Sequence, residues 1–206
     1  METRKRRLGT VLFREFELLD VFGPLEMLGS VRDRIEIVIT AERPGAAASA
    51  QGPEVVVQRA FADCPPLDLL LVPGGFGTRA EAENPAMLRF LRERAEAAEI
   101  VMSVCTGSAL LARAGVLDGK RATTNKMFFQ WVADQCPHVE WVREARWVED
   151  GKVFTSSGVS AGMDMALAVA ARLFGAEVSD TLALATEYEW HRDAAWDPFA
   201  KAHGLV

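Results

Sequence analysis

Two patterns of apolar residues take turns along this chain: short unbroken runs, and longer stretches with apolar positions three or four apart. The runs at 9–13, 68–72 and 100–104 hold almost no polar residue. Runs of that length, bounded by turn residues, are strands covered on both faces. Residues 34–40 alternate apolar and charged before turning apolar, as a strand nearer a sheet edge does. Helical spacing appears at 18–29, 84–98, 108–114, 125–135, 161–174 and 178–188. Pro24 is expected in the first turn of its helix, where a missing N–H costs little. Asn84 and Asn125 are placed as N-caps, and Gly115 closes a helix at its C-terminus. Residues 140–148 and 152–155 flank Asp150-Gly151, a hairpin signal. The Ala-, Gly- and Ser-rich stretch 44–53 reads as a loop. Strands alternating with helices predict an α/β fold, a mostly parallel sheet between helical layers, with one small antiparallel hairpin.

With 206 residues and half of them apolar, the chain buries a sizeable core. One domain is expected over residues 9–206, behind an N-terminal tail at 1–8. The net charge of −6 argues against nucleic acid as a partner. Arg4, Lys5, Arg6 and Arg7 form a basic cluster, expected as part of the solvated tail. No apolar run approaches a membrane span or a signal peptide. The three cysteines, Cys64, Cys105 and Cys136, are too few and too widely spaced for a disulfide framework or a zinc cluster. Free thiols fit a reducing compartment, so a cytoplasmic location is expected, with no metal and no organic cofactor.

Two abrupt strand ends carry the candidate chemistry, because open α/β sheets bind ligands beyond the carboxyl ends of their strands. At Val104-Cys105-Thr106-Gly107 a strand stops and a helix starts at once. This resembles a nucleophile elbow, which lifts its side chain out of the core. The helix start aims free N–H groups at the sulfur, and the expected effect is a lowered thiol pKa. A buried structural cysteine is the competing reading. At Pro73-Gly74-Gly75-Phe76-Gly77 the backbone can approach a ligand closely. The N–H groups of Gly75 and Thr106 are candidate oxyanion donors, and an ordinary tight turn is the alternative. None of His138, His191 and His203 follows a predicted strand near the elbow, so a Cys–His pair has little support. Asp20, on the apolar face of the first helix, is the candidate proton partner with a raised pKa. A helix cap is its alternative role.

Taken together, these motifs are similar to those of the ThiJ/PfpI superfamily, with its flavodoxin-like fold related to class I glutamine amidotransferases. The resemblance runs from Leu18-Leu19-Asp20-Val21-Phe22-Gly23-Pro24 through Pro73-Gly74-Gly75 and Val104-Cys105-Thr106-Gly107. It continues over Arg121-Ala122-Thr123-Thr124, residues 155–162, residues 187–190 and Asp197-Pro198-Phe199. Within the superfamily the motifs look most like the isonitrile hydratase family. That resemblance implies a small-molecule substrate, a homodimer, and catalysis by Cys105, Asp20 and Thr106 with Gly74 and Gly75 in the binding loop. Two departures stand out. Relatives with protease- or glyoxalase-like activity place His after the cysteine, where Thr106 stands here. Hydratase- and regulator-like relatives often read Thr-Thr-His-Trp, where this chain reads Thr123-Thr124-Asn125-Lys126. A redox or electrophile sensor, a ligand-binding domain and a glyoxalase-like enzyme are the competing functions. Phe76, Met127 and Trp131 are candidates for the pocket wall.

Overall fold

The structure is a computed structural model that describes residues 4–206. β1 (Arg6–Val11) leads to α1 (Leu18–Gly29) and β2 (Ile35–Ala41). A crossover of β3 (Gly45–Ala48), β4 (Glu54–Val57) and β5 (Arg59–Ala60) reaches β6 (Leu69–Val72). Next come α2 (Thr78–Glu81), α3 (Pro85–Ala97), β7 (Ile100–Ser103), α4 (Gly107–Arg113) and β8 (Arg121–Ala122). α5 (Phe129–Gln135), β9 (Glu140–Trp141), β10 (Trp147–Asp150) and β11 (Val153–Ser156) precede α6 (Ala161–Phe174), α7 (Ala176–Ala185) and α8 (Pro198–Ala202).

The main sheet has seven strands in the order β10-β11-β7-β6-β1-β2-β5. All its pairings are parallel except the β10–β11 hairpin. α1 packs on α6 and α6 on α7, while α2, α3 and α5 pack around α4. These two groups form the outer layers of a flavodoxin-like sandwich. β6, β7 and β11 are buried along their whole length, which is why their sequences are unbroken apolar runs. β1 has β2 on one side and β6 on the other, so the chain reverses its lateral direction there. The crevice at that switch point is where such folds bind ligands. Register aligns Val72 with Ser103 and Ser103 with Thr155. The residues just past these positions therefore meet at one sheet edge.

Several local expectations change. β1 begins at Arg6, so the basic cluster is only partly a tail. Arg7 pairs with Glu36 on the neighbouring strand and Arg6 with Glu99, both as ion pairs. Arg4 reaches Asp68. The stretch 44–53 contains β3, which pairs antiparallel with β4. Pro24 lies in the interior of α1; lacking an N–H, it leaves the carbonyl of Asp20 without its helical partner. α5 starts at Phe129, and the Asn125 side-chain carbonyl oxygen accepts from the Phe128 N–H ahead of it, so Asn125 is not the N-cap residue. The strand expected over 140–148 is broken: β9 joins β8, and only β10 enters the hairpin. The helix expected to be last, at 178–188, is α7 at Ala176–Ala185, and α8 follows it. Among the described residues no helix is long and apolar enough to cross a membrane.

Candidate active site

Cys105 has φ 58, left-handed backbone that a β-carbon residue adopts only at a cost. Its surroundings hold it there. Its N–H donates to the Ser157 carbonyl at 3.1 Å. Its own carbonyl accepts from the hydroxyls of Thr124 at 2.9 Å and Ser108 at 3.1 Å. Strain fixed from several sides is typical of functional turns. The result is an elbow between β7 and α4, with Cys105 5% exposed. The residue lines an open cavity of about 390 Å³.

The glycine loop is fastened beneath the elbow. Gly74 N–H donates to Asp20 Oδ2 at 2.8 Å, and Gly75 N–H donates to Thr106 Oγ1 at 3.1 Å. A methyl group on Gly74 would lie 2.6 Å from the Thr106 nitrogen and 2.9 Å from Asp20 Oδ2. Only glycine allows this approach. Phe16 bridges to Gly75, and Glu17 N–H donates to the Gly74 carbonyl at 2.8 Å. The turn after β1 and the turn after β6 are thereby joined. Cys105, Asp20, Thr106, Gly74 and Gly75 thus stand in one place, although they come from three separate segments.

Asp20 is fully buried in the first turn of α1. It does not cap the helix, because the N-cap position is Glu17. Burial pushes the Asp20 carboxyl well above its ordinary range, against the pull of the Gly74 N–H. Glu17 raises it further, while the adjacent Cys105 thiol favours the carboxylate. Oδ1 has no partner of full hydrogen-bond geometry among the described residues.

The sulfur departs from expectation. Burial and the nearby Asp20 charge push the Cys105 thiol up, not down. Donors from Thr106 N–H, Asn125 and Val159 N–H work against that rise without overcoming it. The helix start is present, but a dry site next to a carboxyl outweighs its dipole. The donor set also differs. Gly75 N–H is committed to Thr106 Oγ1, so it is not paired with Thr106 N–H as an anion hole. Asn125 Nδ2, at 3.2 Å from Sγ, takes that place.

The sequence marks Asn125 only as a helix cap and a departure from related motifs, and it marks no role for Val159. No local pattern marks either, since β7, β8 and β11 bring them together. His203, set aside as a tail residue, lines the cavity with Phe199, both brought over it by α8. Phe76 and Met127 line it as expected. Trp131 does not; it lies behind, with the Arg79 guanidinium 4.8 Å from its ring. Beneath one wall, Arg146 binds Asp164 at 2.8 Å and reaches Asp197, the N-cap of α8, at 3.7 Å. No cysteine or histidine cluster with metal-ligand character occurs among the described residues.

The sequence pattern of the DJ-1/PfpI family matches residues 6–172. The chain belongs to the DJ-1/PfpI family. It is 36% identical to the isonitrile hydratase of Pseudomonas putida over 88% of this chain and 78% of that enzyme. A ThiJ/PfpI family protein from Pseudomonas syringae superposes with a TM-score of 0.83 at 30% identity, covering 91% of this chain and 77% of that one. The family also contains regulators. The HTH-type transcriptional regulator GbdR of Pseudomonas aeruginosa is 29% identical over 68% of this chain but only 38% of its own length.

Proposed function

We propose that this protein is a cysteine-dependent hydratase that converts an isonitrile to an N-substituted formamide. The observation that carries the proposal is Cys105 lining an open cavity with the buried Asp20 carboxyl beside it, its pKa raised by burial. Similarity to an isonitrile hydratase supports the same reading.

An isocyano carbon accepts both a nucleophile and a proton, so a neutral thiol beside a neutral carboxyl is a suitable resting pair. Sγ bonds to that carbon while the carbon takes a proton from Asp20. The thiol hydrogen passes to Asp20 Oδ1 and restores the acid. The product is a thioimidate, R–N=CH–S–Cys105. Water adds across its C=N bond; collapse of the adduct forms C=O, breaks C–S, returns a hydrogen to sulfur and releases R–NH–CHO. The sum is isonitrile plus water, and no oxidant enters. Asn125 Nδ2 and the N–H groups of Thr106 and Val159 stabilise charge on sulfur as it develops. Thr106 Oγ1 holds the glycine loop against the elbow.

A redox sensor fits less well, because peroxide reacts with a thiolate and the resting thiol here is held neutral. The direct test is incubation with cyclohexyl isocyanide, with N-cyclohexylformamide quantified by chromatography. Turnover is expected, and its loss in Cys105→Ala and Asp20→Ala. Turnover that survives Cys105→Ala, or turnover of methylglyoxal in place of the isonitrile, overturns the assignment.

A further inference from the structure

The cavity above Cys105 is lined by a guanidinium, Arg79, that is exposed to solvent and has no ion-pair partner among the described residues. Arg79, on α2, lies over three aromatic rings. Its guanidinium carbon is 4.8 Å from the Trp131 ring centroid, 5.0 Å from Phe128 and 5.4 Å from Phe76. Stacking of this kind uses the guanidinium face and leaves its edge N–H donors free. Among the described residues Arg79 takes part in no ion pair and no side-chain hydrogen bond. Glu17, Lys126 and His203 also line the cavity, and the Glu17 carboxylate makes no ion pair with Arg79. Glu17 accepts from Gln51, and the Lys126 ammonium turns inward to the Thr123 hydroxyl and the Ala145 carbonyl. The rest of the lining is mainly apolar, with Phe76, Met127 and Phe199 prominent.

We infer that the cavity takes a substrate with an anionic group, a carboxylate for which Arg79 supplies a two-pronged contact, at the end remote from the atom that Cys105 attacks. A guanidinium already oriented by three rings loses little freedom on meeting a planar carboxylate. An apolar spacer then lies along the aromatic wall. The reacting end follows from the hydratase reading; the anion site does not depend on it.

The test has two arms. The first compares ω-isocyanoalkanoates of increasing chain length with their methyl esters on wild type, Arg79→Met and Arg79→Lys. The wild type is expected to show the lower KM for the acid. Arg79→Met is expected to raise the acid-to-ester KM ratio by about tenfold or more, the scale of lost charged hydrogen bonds, with kcat changing little. Arg79→Lys should recover part of the loss. A KM that rises alike for acid and ester would mean that Arg79 only holds the wall together, and would overturn the inference. The second arm measures binding of hexanoate and hexanamide to Cys105→Ala, with and without Arg79→Met, by tryptophan fluorescence and calorimetry. A preference for hexanoate that disappears with Arg79→Met supports the anion site even if no isonitrile reacts. Equal binding of the two probes overturns it even if isonitriles do react.

Discussion

Asn125 Nδ2 stands 3.2 Å from Cys105 Sγ, while its Oδ1 accepts the Phe128 N–H at 3.1 Å. One side chain thus connects Cys105 to the turn that leads into α5. The second bond fixes the amide so that its donor, not its acceptor, meets the sulfur. Gly158 allows this, because a β-carbon there would collide with Asn125 Nδ2.

Asn125→Ala removes a donor that favours the thiolate. The thiol pKa should move further up, and kcat/KM for isonitrile should fall by about tenfold or more. The pH dependence of alkylation by iodoacetamide reads the first effect, and steady-state kinetics read the second. Asn125→Asp should be worse, since it replaces the amide donor by a carboxylate against the sulfur.

Asp20 links activity to pH-dependent stability. Its folded pKa lies above the ordinary value of 3.8, so the native state binds more protons than the unfolded chain above that pH. The contribution is therefore most favourable at acid pH and is lost as pH rises through the folded value. Compared with Asp20→Asn, the wild type should lose stability in denaturant titrations as pH rises above 3.8 towards the raised folded value. Asp20→Asn should also lower turnover by about 10²- to 10⁴-fold, the range for a missing acid–base group.

The left-handed backbone of Cys105 sets up a comparison between two inactive variants. Alanine keeps the strain at φ 58 and glycine releases it. Cys105→Gly should be more stable than Cys105→Ala by about 1 kcal/mol, measured by urea unfolding. Equal stability would mean that the elbow is not strained.

Lys126 is 3% exposed, and burial lowers its pKa from 10.5 to about 8. Between these values the unfolded chain binds more protons than the native state. Stability from this group therefore rises with pH across that window, and the burial cost is fully present below it. Compared with Lys126→Met, the wild type should gain at most about 3 kcal/mol from pH 8 to pH 10.5. Parallel curves for the two proteins over that range would overturn this.

The sequence by itself determined most of the scaffold. The unbroken runs at 69–72 and 100–103, short and bounded by turn residues, mark strands covered on both faces, and the Asp150-Gly151 pair marks a tight turn. The helices at Leu18–Gly29 and Ala161–Phe174 follow residue for residue from their apolar spacing. The abrupt joints after β6 and β7 marked Cys105, Gly74 and Gly75, because turns that tight are written in a few adjacent residues. Tertiary structure decided the chemistry of the site. Whether a thiol is raised or lowered depends on how much water and charge surround it, and here burial beside Asp20 outweighs the helix start. Asn125, Val159 and Arg79 come from distant segments and gain their roles only where strand register and loop packing bring them together. The arginine has no local pattern to mark it, since its three aromatic neighbours come from the loop after β6 and from the start of α5.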